Sequence, residues 1–273
     1  MMGFSIDGTH CSEFGIYLLE RPTRVLPDLR QHEITIPGRH GIYDAGTELG
    51  TNSFTLTMGI VECDKQAIWG IVRQFASFIN PLLGYRALMF DDEPGFIRYV
   101  KASEGAEVET IYNSIRSIGR FSVQFKMADP FMYNAILKQE EWDAPYDGST
   151  SLTNNGGVDC PLIIKLYAPT NTAATMPAAG VGTTNPGTAN TASVTGITIT
   201  ISEISVKYAG EITANDEVII DTREFTVRKN GQNSMQYWEG DFPQLQIGEN
   251  IITEHDDSGV GARVVFQFRE RWL

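Results

Sequence analysis

Asp216-Glu217-Val218-Ile219-Ile220-Asp221-Thr222, followed by Phe225-Thr226-Val227-Arg228-Lys229-Asn230-Gly231, decides the class of fold. The first run has the length and β-branched content of a strand. The second is a strand closing on Asn-Gly, the pair that a tight hairpin takes at positive φ. Beyond them, Gly240-Asp241-Phe242-Pro243-Gln244-Leu245 and Gly248-Glu249-Asn250 read as an aromatic loop. Arg263-Val264-Val265-Phe266-Gln267-Phe268-Arg269-Glu270-Arg271-Trp272-Leu273 reads as a closing strand that is apolar on both sides. Nothing in these segments is chemically reactive. They describe a β domain, not a catalytic one.

Upstream, strands dominate again. Phe54, Leu56, Met58 and Ile60 alternate with Ser53, Thr55, Thr57 and Gly59, which predicts a half-buried strand. Ile34 and Ile36 alternate up to Pro37, and Phe121, Val123, Phe125 and Met127 alternate until Asp129-Pro130. Proline ends such a strand because it cannot donate to the ladder and it restricts the residue before it. One helix interrupts the pattern. Over Asp64–Asn80, Ile68, Ile71, Val72, Phe75, Phe78 and Ile79 recur every three or four residues, with Asp64 as N-cap and Asn80-Pro81 as the stop. The stripe predicts packing on the sheet. Residues 21–52 carry Pro22, Pro27, Pro37-Gly38, Gly41, Gly46 and Gly50, and this punctuation predicts an extended arm or mobile loop.

A chain of 273 residues accommodates two β domains. The boundary is expected within Ala144–Gly157, dividing the chain into 1–145 and 146–273. Ala168–Gly196 is almost free of large apolar side chains and reads as a flexible insertion in the second domain, with periodicity resuming at Ile197. The net charge of −13 opposes nonspecific nucleic-acid binding and docking on anionic membranes. Cys11, Cys63 and Cys160 have neither disulfide-framework nor zinc spacing, which predicts free thiols. With no signal-peptide pattern and no long apolar run, synthesis in a cytoplasm is expected.

Chemistry is sparse. His10, His32, His40 and His255 are dispersed, and no nucleophile elbow, phosphate loop or dinucleotide fingerprint is present. No catalytic, cofactor or metal site is expected. Asp91-Asp92-Glu93 lacks the ligand spacing of a calcium loop and reads as an acidic turn between strands. Asp256-Asp257-Ser258-Gly259 reads as a hairpin turn before the last strand. Trp142 and Trp238, flanked by acids, are the more exposed candidates for a sugar platform, although burial in a core or interface is the favoured reading of each tryptophan.

Several motifs, in order, carry a family resemblance. Pro37-Gly38-Arg39-His40-Gly41-Ile42-Tyr43-Asp44, then Ala87-Leu88-Met89-Phe90-Asp91 with Arg98-Tyr99-Val100, then Gly119-Arg120-Phe121-Ser122-Val123-Gln124-Phe125 running into Ala128-Asp129-Pro130-Phe131-Met132-Tyr133, together with the C-terminal segments, resemble the siphophage distal tail proteins. The resemblance implies a mainly β fold: an N-terminal sheet domain flanked by a helix, and a C-terminal galectin-like β-sandwich. It implies a homo-hexameric ring joining the tail-tube protein to the tail-tip, baseplate hub and receptor-binding proteins, with DNA passing through unbound. Within it, Pro37, Gly38, Arg39, His40, Gly41 and Tyr43 are candidates for a subunit-interface arm. Asp91, Asp92 and Glu93 are candidates for acids facing the channel. A two-domain carbohydrate-binding adhesin is the competing reading, and a glycan-degrading enzyme a distant third.

Overall fold

The computed structural model describes residues 3–21, 26–62, 65–104, 108–112, 117–169 and 193–273. They form two compact units, one running to Ala135 and including Trp272–Leu273, the other spanning Ile136–Arg271.

The first unit is built on two long strands. Asn52–Glu62 and Ser117–Met127 pair antiparallel in unbroken register, from Ser117 opposite Glu62 to Met127 opposite Asn52. Period-two alternation turns Leu56, Met58, Ile60, Phe121, Val123 and Phe125 into the core. The sheet extends on one side through Ile16–Glu20. On the other it continues through Phe96–Ala102, Arg86–Phe90, Phe4–Ile6 and Thr9–His10. Val108–Tyr112 and Met132–Asn134 pair beside this path.

The predicted helix spans Lys65–Phe78, and Asp64, its expected cap, lies outside the described residues. Ile68 and Phe75 are fully buried against the sheet. Phe75 sits at the centre of an aromatic group, with ring centroids 6.4 Å from Phe4, 5.8 Å from Phe14 and 5.9 Å from Phe121. Glycine at 119 permits the close helix–sheet approach: a Cβ there would stand 3.2 Å from Ile68 Cγ2. The helix stops as expected. Asn80 accepts from the Leu82 N–H at 3.0 Å and caps a short 3-10 turn, Pro81–Leu83.

The second unit is a two-layer β-sandwich. One sheet runs Lys138–Ala144, Ala262–Phe268, Cys160–Tyr167, Val218–Asp221, Thr226–Lys229 and Gln232–Asn233, with Gln244–Leu245 beside Cys160–Tyr167. The other runs Ser149–Asn154, Gly248–His255, Val194–Ile201, Ile204–Ile212 and Trp238–Glu239. Leu162, Ile164, Ile220 and Phe266 from the first meet Ile199, Val206, Tyr208 and Ile252 from the second in one core. The Asn230-Gly231 hairpin forms as read, with φ of 51° and 80° joining Thr226–Lys229 to Gln232–Asn233.

Three expectations are corrected here. The unit boundary falls at Ala135–Ile136 and not within 144–157, because Lys138–Ala144 pairs along its full length with Ala262–Phe268. The strand after the bland insertion begins at Val194, before Ile197, and absorbs Gly196 (φ 63°) as a bulge; residues 170–192 of that insertion lie outside the described residues. Asp256–Gly259 is not a hairpin turn. The strands on either side of it belong to different sheets, so this segment carries the chain from one layer of the sandwich to the other.

Candidate assembly surface

The arm expected from proline and glycine punctuation is a β-hairpin. Leu29–Ile34 pairs with Tyr43–Leu49 as a two-stranded sheet of its own, with an irregularity between Gln31 and Glu33. Every residue of both strands is exposed. A lone two-stranded ribbon is marginal in water, and this one carries Leu29, Ile34, Ile36, Ile42 and Tyr43 in the open.

The tip explains its own sequence. The Arg39 N–H donates to Ile36 C=O at 3.1 Å, with Gly38 at φ 84°. That is a type II turn, which takes proline at its second position and glycine at its third, as Pro37 and Gly38 supply. Gly41 is also left-handed at φ 87°. The Arg39 guanidinium lies 4.0 Å from the centre of the Tyr43 ring, so a cation–π contact ties the turn to the returning strand. His40 is exposed beside it. The candidate residues Pro37, Gly38, Arg39, His40, Gly41 and Tyr43 are therefore brought together at one hairpin end.

Asp91, Asp92 and Glu93 form the turn between Arg86–Phe90 and Phe96–Ala102, as the sequence predicts. They are not bare acids. Both Asp91 carboxylate oxygens lie 3.2 Å from His10 Nε2, and Asp92 pairs with Arg21. Glu93 accepts from Arg21 at 2.7 Å and from Arg98 at 2.8 Å. Partial burial alone would raise the Glu93 carboxyl, but these two arginines bring it below its ordinary value. Arg21 also stands over the Phe90 ring at 4.4 Å. Asp92 and Glu93 thus have their cations supplied locally.

Two features escaped the sequence reading. The first is an apolar cleft of about 380 Å³ beside the helix, lined by Val72, Ala76, Ile79, Phe121, Val123 and Glu104 among others. The second lies where the sandwich changes layer. Asp256 is 1% exposed and accepts from the N–H groups of Ser258 (2.9 Å), Val260 (3.2 Å) and Gly261 (2.8 Å). Burial would raise its carboxyl, yet the Ser258 hydroxyl and these N–H groups hold it below the ordinary value. Glu254, also 1% exposed, faces inward across from Ile199, and neither of its carboxylate oxygens has a partner among the described residues. Burial, then the nearby Asp256 charge, raise Glu254 to about 7.

The tryptophans do not form a platform. Trp142 and Trp238 are half-buried against the second core, and Trp238 stacks on Phe242 at 5.4 Å. Trp272 meets Phe96 edge to face, and Trp69 on the helix is the exposed one at 42%. Cys11 and Cys160 are free and buried, burial raising both thiols and Cys160 to about 12; Cys63 lies outside the described residues. Among the described residues no group of His, Cys, Asp and Glu is placed to hold a metal, and no helix is long and apolar enough to cross a membrane.

Two family profiles match the chain in tandem: a phage tail protein RIFT-related domain over residues 9–127, and a siphovirus-type tail component, C-terminal domain, over 179–272. The solved SPP1 Dit protein, described as a paradigm of the hub adsorption apparatus in phages infecting Gram-positive hosts, superposes with a TM-score of 0.74 at 14% identity over 100% of both chains. A chain of the phage P2 baseplate in its activated conformation with Ca gives 0.52 at 8% identity, over 99% of this chain and 98% of that one. No curated protein matches by sequence.

Proposed function

Because the chain belongs to the siphophage distal tail protein family, a family of structural tail components, we propose that six copies close into a ring at the distal end of the tail. The ring joins the tail-tube protein to the tail-tip, baseplate and receptor-binding proteins, and DNA leaves through its channel without specific binding. The first unit builds the ring. The work is positional and needs no catalytic group. The subunit is made in the cytoplasm of the bacterial host and ends in the virion tail.

One observation carries the ring: the hairpin Leu29–Leu49 exposes all its strand residues and, among the described residues, pairs with no other strand. Such a ribbon is stable when it lies on something, and a head-to-tail contact between identical subunits closes when its rotation divides a full turn. The net charge of −13 suits a passage that must not retain phosphate. The test is mass and shape together. Six chains of 30.2 kDa give about 181 kDa, to be measured by light scattering, and negative-stain images should show a six-fold annulus. A monodisperse 30.2 kDa species that also fails to cap purified tail tubes would remove the reading.

A further inference from the structure

In the second unit a lysine and an asparagine meet on one carboxylate oxygen. Glu270 is 4% exposed, and its Oε1 accepts from Lys138 Nζ at 2.5 Å and from Asn155 Nδ2 at 2.9 Å. The Asn155 backbone N–H donates to the same oxygen at 2.9 Å. A primary amine and a carboxamide therefore stand side by side with a buried acid–base group between them. We propose that Lys138 and Asn155 join in an intramolecular isopeptide bond, with Glu270 carrying the proton.

The fold holds the three groups in place. Lys138 opens the edge strand Lys138–Ala144 of one sheet, opposite Phe268, and Glu270 lies just beyond Phe268. Asn155 directly follows Ser149–Asn154, the edge strand of the other sheet. The turn after it is pinned. Asn154, fully buried, donates to the carbonyls of Val158 and Leu245 at 3.1 Å each, and the Gly157 N–H donates to Arg271 C=O at 2.9 Å. Gly156 permits this approach, since a Cβ there would stand 2.6 Å from that carbonyl oxygen. Such positioning replaces an encounter between reactants by a contact already made. The Gly156 N–H donates to Asn154 Oδ1 at 2.9 Å, so the backbone nitrogen that could otherwise cyclise onto Asn155 is engaged.

The chemistry balances without a co-reactant. Burial would raise the Glu270 carboxyl, yet Lys138 and the two Asn155 N–H groups bring it below its ordinary value, so the resting form is an ion pair. Glu270 takes one proton from the ammonium, which frees a lone pair on Nζ. Nζ attacks Asn155 Cγ and the Nζ–Cγ bond forms. As the Cγ–Nδ2 bond breaks, Glu270 returns the proton to Nδ2, which departs as ammonia. The proton that Nζ sheds on becoming an amide leaves with it as ammonium. Asn155 is exposed, which gives the leaving group a way out. The product ties the outer strands of the two layers together and closes residues 138–155 into a covalent loop, which restricts the unfolded chain as a disulfide does.

The experiment is intact-mass spectrometry of the full chain, folded, incubated and then denatured. The wild type should weigh one ammonia less than its sequence, and a tryptic digest should yield a branched peptide joining the segments of Lys138 and Asn155. Lys138→Arg, Asn155→Ala and Glu270→Gln should each weigh what their sequences require. A wild type at full sequence mass after prolonged incubation overturns the bond. So does a deficit that persists in Lys138→Arg or that hydroxylamine reverses, because it marks a succinimide at Asn155-Gly156. A branched peptide that still forms in Glu270→Gln overturns the role given to Glu270. Should a variant fail to fold, the wild-type mass and the branched peptide decide alone.

Discussion

Glu254 and Asp256 stand two residues apart, both 1% exposed, yet Asp256 accepts three backbone N–H groups while neither oxygen of Glu254 has a partner among the described residues. The same desolvation acts on both. Hydrogen bonds rescue one charge and leave the other to be neutralised by a proton, so the pair splits: Asp256 falls below its ordinary value and Glu254 rises to about 7.

The split contributes a pH dependence to the second unit. A carboxyl raised from 4.5 to about 7 on folding binds more protons folded than unfolded between those values. Stability from Glu254 is therefore full below about pH 4.5 and drains away as pH rises to about 7, by up to about 3 kcal/mol. Asp256 acts in the opposite direction, contributing above the ordinary aspartate value and losing its contribution in acid. Glu254→Gln is expected to flatten the melting temperature of this unit between pH 5 and 8. The variant should exceed the wild type at the upper end. Calorimetry across that range checks it, and parallel curves for the two proteins would refute it.

Asp256→Ala should leave the buried N–H of Gly261 and its neighbours without acceptors, at a cost of about 3 kcal/mol. Asp256→Asn keeps one acceptor and removes the charge that bears on Glu254. Its expected signature is a lower loss of stability together with a Glu254 titration shifted toward acid. Denaturant titration at two pH values separates the effects.

Gly38 and Gly41 lie at φ 84° and 87° with nothing within 4 Å of an added Cβ, so strain alone opposes replacement. Valine at both positions should distort the hairpin tip and shift the protein from the proposed ring mass of about 181 kDa toward 30.2 kDa, with both units still melting within about 1 kcal/mol of wild type. Gly38→Asn, which tolerates left-handed backbone, should retain assembly. Equal masses for the valine and asparagine variants would show that tip geometry is irrelevant.

Phe75→Ala removes the ring at the centre of the group formed with Phe4, Phe14, Phe78 and Phe121. The expected loss is about 3–5 kcal/mol in the first unit, read from its chevron or denaturant midpoint. The second unit should keep its own transition.

Local patterns were readable from the sequence; partnerships were not. Phe54 to Ile60 alternate because one sheet face is core, and Asn230-Gly231 forms a hairpin because both residues accept positive φ, so those elements follow from short windows. Asp256–Gly259 has the same kind of turn residues but links two sheets. Turn chemistry reports that the chain bends, not which strands it leaves paired. Arg21 and Asp92 are 71 positions apart, and such an ion pair leaves no mark on the local pattern that reads Asp91–Glu93 as an acidic turn. Glu254 is the plainest miss. Along Asn250, Ile252, Glu254 and Asp256 the inward face is mostly polar, the reverse of what alternation leads one to expect. The hairpin was half legible: its glycines located the arm, but the pairing of Leu29 with Leu49 across an exposed ribbon has no hydrophobic signature.

The exposed ribbon also has a bearing on the timing of assembly. Until it is covered, each new subunit carries a row of wet aliphatic side chains between two open strand edges, which is the form that invites indiscriminate pairing. Subunit supply then becomes a matter of pace. Chains produced faster than the ribbon can be covered would accumulate as sticky singles, so yield in a recombinant host should fall with faster expression and recover on cooling, since hydrophobic adhesion weakens in the cold. In the proposed ring, the ribbon that would join one subunit to the next is thus also the part that limits how quickly subunits can safely be made.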